Sequence, residues 1–313
     1  MNLGRVEYRG SSWLSQHRTS NTPPVRWLAF ALLGGCVFTP ATVYASTCEL
    51  RPDLCDLTVT SFTEQADLER AIDVVILGDG FQDRYQDAGA WQAEADDVIA
   101  TFKGQSNAEV YAAVPALYNF HVVDVLSETT NVGNSDFSDT ALGMGVSGLI
   151  RANSSSVNLA ALNAPDVDVI VAVANSTSGR ANANFPVALA TGGRMRLSRQ
   201  TGPISHEMGH ALFQLADEYV ENGRCSVPAE SAIVDERNVT TGPECRKFSQ
   251  TPGAGCVAGG RYCSSGVFRS ASGCLMRSGG NAAPCPVCAE TIRQMSVEKL
   301  SGEDFANPWI ALS

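Results

Sequence analysis

Five consecutive residues carry the strongest chemical signal in this 313-residue sequence: His206-Glu207-Met208-Gly209-His210. On a helix, residues four apart lie on one face, so both imidazoles can reach one metal ion. The glutamate between them can take a proton from water that a bound zinc ion activates. The apolar stretch 211–216 would pack the back of this helix into a core. The motif therefore predicts a catalytic zinc site with Glu207 as the general base.

Catalytic zinc usually takes three protein ligands and leaves one position for water. The only other histidines are His17, which lies in a predicted leader, and His121. His121 lies in a β-branched run that is typical of a strand, and this favours a structural role for it. Asp217 and Glu218 follow the motif closely and are better candidates for the third ligand. A glutamate on a later helix, such as Glu290, is the remaining alternative.

Distance limits how Asp217 can serve as a ligand. A continuous helix would place it about 16 Å along the axis from His206, at ~1.5 Å per residue. One ion with ligand bonds of about 2 Å cannot span that distance. The helix would therefore have to end soon after His210, and the chain would have to fold back. In the longer HExxHxxGxxH motif a glycine permits such a turn, but here Phe213 holds its position and Ala216 holds that of the third histidine.

The N-terminal 45 residues have the pattern of a secretory signal peptide. Arg26 precedes an apolar run at 27–38, and residues 43–45 fit the small-residue rule for cleavage after Ala45. Residues 33–36 also resemble a lipoprotein box, which would place a lipid on Cys36. The apolar run continues past that cysteine, so free secretion is favoured. No other stretch is long and apolar enough to span a bilayer. We therefore expect a secreted or periplasmic bacterial protein.

Composition excludes some classes of partner. Cleavage after Ala45 would remove four of the 22 basic and one of the 33 acidic residues. The mature chain would then carry 18 basic against 32 acidic residues, a net charge of about −14. Such a charge argues against nucleic acid or an anionic membrane as the partner. It does not identify a substrate.

Nine cysteines remain after the predicted cleavage. In an oxidising compartment they indicate disulfides, and Cys48–Cys55 is a plausible local loop. Seven more lie between positions 225 and 288, and an odd total leaves one of the nine unexplained. The segment Cys285-Pro286-Val287-Cys288 is also compatible with redox chemistry or a structural zinc ion. Structural disulfides are the favoured interpretation of this group.

Strand and helix patterns alternate along the chain. We predict strands at 72–77, 120–126 and 167–174, helices at 88–102 and 157–162, a short edge strand at 185–191, and a final helix at about 288–300. This alternation predicts an α/β fold with a mixed sheet and the metal helix packed beneath it. The expected division is a leader (1–45), an N-terminal segment (46–67), a catalytic core (68–219) and a loop-rich, disulfide-held C-terminal subdomain (220–313). A free strand edge beside the metal helix, polar at Asn182 and Asn184, would suit an extended peptide.

The stretch HEMGHALFQLADEY, from His206 to Tyr219, resembles the HExGH…LxDEY signature of the IgA-peptidase family of bacterial zinc metallopeptidases. The segments 73–81, 274–277 and 285–288 are similar to other parts of that family's catalytic domain, so the likeness covers about 68–300. The resemblance implies a zincin-like, metzincin-like fold. It further implies zinc ligands at His206, His210 and Asp217, Glu207 as base, Glu218 orienting a histidine, Met276 in a tight turn under the metal, and Tyr219 donating to the developing oxyanion.

Together these patterns predict a secreted, zinc-dependent metalloendopeptidase that hydrolyses peptide bonds in a protein or peptide substrate. Two alternatives share the same residues. One is a non-catalytic extracellular binding protein with a structural metal site, and the other is an amidase that acts on cell-wall peptides. The intact Glu207 favours an enzyme, because a purely structural metal site has no use for that carboxylate.

Overall fold

The computed structural model describes residues 5–8, 48–63, 71–82, 88–102, 118–130, 132–184, 193–198, 204–278 and 282–300. The predicted cleavage site after Ala45, the predicted lipid-bearing Cys36 and the predicted edge strand at 185–191 lie outside these ranges. The helices are α1 (Ala88–Phe102), α2 (Ser154–Ala161), α3 (Ile204–Phe213), α4 (Leu275–Ser278) and α5 (Pro286–Leu300). The strands are β1 (Arg5–Tyr8), β2 (Val59–Thr63), β3 (Ile72–Asp79), β4 (Tyr118–Val123), β5 (Gly145–Ser147), β6 (Leu149–Arg151), β7 (Val169–Ala174), β8 (Asn182–Asn184), β9 (Gly193–Ser198), β10 (Val239–Thr240), β11 (Val257–Gly260) and β12 (Cys263–Arg269).

A mixed sheet of seven strands lies at the centre, in the order β1-β2-β4-β3-β7-β9-β8. The four strands β4, β3, β7 and β9 are parallel, whereas β1, β2 and β8 run antiparallel to their neighbours. Every residue of β3 is buried, because both faces of the sheet are covered. This explains the unbroken apolar run that marked the strand in the sequence. The predicted α/β fold with a mixed sheet is confirmed.

Side chains of β3 alternate between two cores, one on each face of the sheet. Val74 and Ile76 pack with α1, α3, α4 and α5 on one face. Val75 and Leu77 pack with α2 and the neighbouring loops on the other face. Helix α3 lies against β8 and β9 at one side of the sheet. The first core joins residues on both sides of the predicted boundary at 219/220, so the C-terminal helices are part of the structure that supports α3.

A buried carboxylate ties the end of β3 to the loop that follows β4. Asp79 accepts hydrogen bonds from the backbone N–H groups of Leu142 (3.0 Å) and Met144 (2.8 Å). It also accepts from the hydroxyls of Thr140 (2.6 Å) and Ser127 (3.0 Å). Four donors satisfy this fully buried group, so the charge needs no ion-pair partner.

The cysteine predictions are partly right. The local disulfide Cys48–Cys55 is present, as expected. Two more disulfides, Cys225–Cys263 and Cys245–Cys256, hold the loop-rich region, which contains the three-stranded sheet β10-β12-β11. The prediction of disulfides was wrong for three members of the group, which are buried free thiols: Cys274, Cys285 and Cys288. These three thiols lie together with the Glu218 carboxylate in one buried cluster instead of pairing as disulfides.

Two observations bear on the N-terminus and on membranes. Strand β1, Arg5–Tyr8, pairs with β2 although it falls within the predicted leader, and that leader stays a prediction. Among the described residues, no helix combines the length and the apolar character that a bilayer crossing requires. Disulfides are typical of proteins that fold in an oxidising compartment.

Candidate functional site

The HExxH motif, residues 206–210, lies on α3, and the chain reverses direction shortly after it. The helix ends at Phe213, and Gln214 takes the left-handed conformation with φ of 52°. The Leu215 N–H then bonds back to the carbonyl of Gly209 at 3.0 Å, which closes the helix end. The chain therefore turns as the distance argument required. The left-handed residue is one position later than the glycine of the longer motif.

This turn brings three predicted ligands together. The Asp217 Oδ1 atom lies 3.1 Å from His206 Nε2 and 3.2 Å from His210 Nε2, and the two Nε2 atoms are 3.1 Å apart. Ligands about 2.0–2.2 Å from a tetrahedral ion would be roughly 3.3–3.5 Å apart. The His–His–Asp cluster formed by His206, His210 and Asp217 is therefore a candidate metal site, close to the spacing that one small ion requires.

The other ring nitrogens determine what this cluster can bind. His206 Nδ1 lies 3.1 Å from the Leu275 carbonyl oxygen, and His210 Nδ1 lies 2.5 Å from that of Leu215. A carbonyl only accepts, so each Nδ1 carries the hydrogen and each neutral ring presents a lone pair at Nε2. Two lone pairs and the Asp217 carboxylate oxygen thus converge within about 3 Å. Such a set repels itself unless a metal ion or a proton lies among its atoms.

Protonation of the metal-free cluster follows the same logic. Burial lowers the pKa of His210, but the hydrogen bond and the charge of Asp217, the charge of Glu207 and the Leu215 carbonyl together outweigh burial and raise the pKa above its ordinary value. Burial would raise the pKa of Asp217, but hydrogen bonds with His206, His210 and Tyr262 hold it far below its ordinary value. Without metal, His210 therefore takes up a proton more readily than an ordinary histidine, whereas Asp217 stays ionised.

Asp217 is held from its far side by a residue that the sequence did not reveal. The Tyr262 hydroxyl donates to Asp217 Oδ2 at 2.5 Å, and the Arg261 N–H donates to the Asp217 carbonyl at 2.8 Å. Arg261 and Tyr262 both have positive φ, 45° and 68°, in the tight turn between β11 and β12. Strain of this kind persists only where its surroundings fix it. Tyr262 lies 45 residues from Asp217 with no motif around it, so no local signal could have identified it.

Glu207 lies in the same helix turn and is almost completely buried. Burial raises the pKa of its carboxyl group above the ordinary value, and the neighbouring His206 and His210 oppose that shift. A glutamate with a raised pKa binds a proton more readily than an exposed one does. This suits Glu207 to general-base chemistry beside the cluster.

Met276 packs against α3 at Gly209, and the tight turn under a metal ion that the family resemblance implied stays a prediction. Met276 belongs to α4 and is fully buried. A Cβ atom at Gly209 would overlap the Met276 sulfur, so glycine lets helix and methionine approach each other. The Met276 carbonyl also accepts a hydrogen bond from the Glu218 N–H at 2.8 Å, which attaches α4 to the loop that carries Asp217.

Tyr219 stands at the margin of the cluster. Its ring centre is 6.5 Å from that of His206, and its hydroxyl accepts a hydrogen bond from the Arg180 guanidinium. Arg180 is anchored beside β5 and β6 through backbone bonds with Gly148 and Ile150. The sequence had not singled out Arg180. The predicted role of Tyr219 toward an oxyanion stays a prediction.

Three other candidates lie elsewhere. The Glu218 carboxylate bonds to Asn238, Cys285 and Cys288, while the histidine Nδ1 atoms bond to the Leu275 and Leu215 carbonyls, which corrects the histidine-orienting role that the resemblance implied. His121 is buried in β4, where it bonds to Ser61 (2.8 Å) and Asp73 (2.7 Å), as a structural histidine would. Glu290 is an exposed residue of α5 that pairs with Arg293, so it is not a ligand of this cluster.

A cavity of about 390 Å³ opens beside the cluster. Its lining includes His210, Asp217 and Tyr262 together with Ala183 of the edge strand β8. Its size falls within the range of small-molecule and side-chain pockets. The candidate metal site is thus reachable from a concave surface rather than sealed in the core.

No protein-family model matches the chain, and comparison with curated proteins finds no match. The case for a function therefore rests on the residues and the geometry described above.

Proposed function

We propose that this protein is a zinc-dependent endopeptidase that acts outside the cytoplasm. The observation that carries the proposal is the convergence of two imidazole lone pairs and a carboxylate beside the buried Glu207. Two histidines and one carboxylate form a typical donor set for catalytic zinc, which keeps its fourth position for water or substrate. When bound, the ion supplies Lewis acidity that lowers the pKa of water and polarises a carbonyl group.

The protein's own residues supply the proton transfers. Glu207 would accept the proton of the attacking water and pass it to the leaving amine. Burial raises the pKa of this carboxyl group, and a general base works best when its pKa approaches the operating pH. Tyr219, held by Arg180, would donate a hydrogen bond to the oxygen of the tetrahedral intermediate.

A peptide substrate would bind along β8. This strand ends the sheet order, and α3 packs against it and against β9. Extended peptides commonly add to a sheet edge through backbone hydrogen bonds that tolerate many side chains. The cavity beside His210 would then receive one substrate side chain. Export is supported by the three disulfides, because such bonds persist in oxidising compartments.

The decisive experiment compares Glu207→Gln with the parent protein. The substitution keeps size and helix but removes the basic oxygen, so we expect unchanged zinc content and a loss of casein cleavage of at least about 100-fold. Glu290→Gln, the same change at an exposed site of α5, serves as the control and should leave cleavage unchanged. Cleavage of casein by the Glu207 variant at the parental rate would refute the proposal. If the parent protein releases peptides from peptidoglycan but leaves casein intact, the cell-wall amidase is indicated instead.

A further inference from the structure

A second group of potential metal ligands lies on the other side of the loop that carries Asp217. We infer that Glu218, Cys274, Cys285 and Cys288 bind a second, structural metal ion of the kind that prefers thiolates, namely Zn²⁺. One ligand atom from each of the four lies within 4.8 Å of all the others, and all four residues are buried. This set is called the Cys₃Glu cluster below.

The separations agree with tetrahedral coordination. Cys274 Sγ lies 3.5 Å from Cys288 Sγ, and the Glu218 Oε1 atom lies 3.4 Å from Cys288 Sγ and 3.7 Å from Cys285 Sγ. With zinc–sulfur bonds of about 2.3 Å and zinc–oxygen bonds of about 2.0–2.2 Å, a tetrahedron places two sulfurs about 3.8 Å apart and a sulfur and an oxygen about 3.5 Å apart. One ion can therefore reach all four atoms with little movement.

The buried carboxylate also points to a cation. Glu218 is fully buried, and its Oε1 accepts hydrogen bonds from the Asn238 amide at 3.0 Å and from the thiols of Cys285 and Cys288. Its Oε2 has no hydrogen-bond partner among the described atoms. A buried carboxylate with one oxygen left without a partner is costly, and buried charges are normally paired or bound to metal. A metal ion among these thiols would provide that partner.

The donor set indicates which metal and which role. Thiolates select zinc and other soft ions over magnesium or calcium. Two of the cysteines stand in the spacing Cys-x-x-Cys at the start of α5, which recurs in structural zinc sites. Four protein ligands complete a tetrahedron and leave no position for water, in contrast to the His–His–Asp cluster. The Cys₃Glu cluster is therefore assigned a structural ion.

Such an ion would join the segments that shape the first cluster. Glu218 follows Asp217 directly, and Cys274 precedes Leu275, whose carbonyl orients the His206 ring. Cys285 and Cys288 lie at the N-terminal turn of α5. A metal ion here would hold the third ligand and the histidine acceptor in place without touching a substrate.

Metal content tests this inference independently of proteolysis. The double variant H206A/H210A removes the first cluster and leaves all four residues of the second. We expect one zinc per chain in this variant, and about three sulfur neighbours at ~2.3 Å in zinc-edge X-ray absorption. After cobalt substitution we expect thiolate-to-cobalt charge-transfer absorption. A folded double variant that binds neither metal overturns the inference.

Thiol counting separates the metal site from a further disulfide. Denatured in chelator without reductant, the parent protein should yield three alkylated cysteines among positions 274, 285 and 288. A single alkylated cysteine there would mean that the other two form a disulfide, and would overturn the inference. Because Cys288→Ser risks misfolding, Glu218→Gln in the H206A/H210A background is the second variant, and it should weaken zinc binding at least about 10-fold. Glu230→Gln, at a carboxylate that accepts hydrogen bonds from Thr240 and Thr241, is the matched control and should leave zinc binding unchanged.

Discussion

Tyr262→Phe is the most informative single change, because it removes one oxygen atom and leaves the surrounding packing. The hydroxyl donates to Asp217 Oδ2 at 2.5 Å. The ring also contacts Tyr219, with centroids 5.2 Å apart, and the Arg224 guanidinium lies 4.1 Å from its centre. Phenylalanine keeps both ring contacts. The variant therefore tests whether the far-side hydrogen bond holds Asp217 in position to bind a metal ion.

The expected effect follows from the strength of that bond. A hydrogen bond to a charged group contributes about 1.5–3 kcal/mol, which corresponds to roughly 10- to 100-fold in a binding constant. Mutation of a residue that hydrogen-bonds to a metal ligand typically lowers metal affinity by the same factor. Tyr262 is only half-buried, so water can partly replace the hydroxyl. We therefore expect a loss near the lower limit, about 10-fold.

The assay is competition for zinc against a chelator of known affinity at constant pH. Tyr118→Phe, in the buried strand β4, is the matched control, since it removes a hydroxyl from a ring that packs on Phe102 and Phe120. That control should leave zinc affinity unchanged even if it alters the melting temperature. An unchanged zinc affinity in Tyr262→Phe would refute the idea that the Tyr262 hydroxyl holds Asp217 in position to bind the metal ion.

Three further predictions concern the turn, the sheet and the histidines. Gln214→Gly should leave stability within about 1 kcal/mol and keep the metal, since glycine accepts the left-handed φ, whereas Gln214→Val should cost more than about 1 kcal/mol in chemical denaturation; equal stability of the two would contradict the turn. Asp79→Asn should cost about 2–4 kcal/mol, because the amide nitrogen would replace one oxygen and face the backbone N–H and the hydroxyl that donate there, whereas exposed Asp166→Asn should cost nothing measurable. We expect zinc affinity to fall as the pH is lowered, and the fall to begin before the pH reaches ~6.5, the ordinary pKa of histidine. Contact with Asp217 raises the pKa of His210, so protons compete with the metal ion at a higher pH than usual; a flat affinity between about pH 5 and 8 would exclude His210 as a ligand.

Much of the fold follows from local patterns. The helix predicted at 88–102 matches α1, and the apolar runs at 72–77 and 167–174 lie within or overlap β3 and β7. Their signals are strong because each strand is buried on both faces and the helix packs along one side. Order within the sheet could not be read from these runs, because strand pairing depends on contacts between distant segments.

The candidate site likewise has features that local sequence predicts and features that depend on distant contacts. Spacing along one helix was enough to place His206 and His210, and the length of a zinc bond was enough to require the turn before Asp217. The turn itself could not be located from the sequence, because the left-handed residue is Gln214 and not a glycine. The helix-closing hydrogen bond and the packing beyond it outweigh the modest backbone strain of that residue. Glu218 has the same residue type as a histidine-orienting partner, yet consecutive residues in an extended segment point to opposite sides. That alternation places it in the Cys₃Glu cluster.

The loop-rich C-terminal region, 220–313, therefore helps to form the candidate site. The acceptor for His206 lies at Leu275, 69 residues beyond it, and the donor to Asp217 lies at Tyr262, 45 residues beyond that carboxylate. Neither bond can form until the disulfide-held region has folded against α3. Cys263, which follows Tyr262 directly, forms the disulfide with Cys225 and fixes the base of the strained turn. The helix motif supplies two of the three candidate ligands, while the position of Asp217 and the direction of both imidazoles depend on residues that only the complete fold brings near.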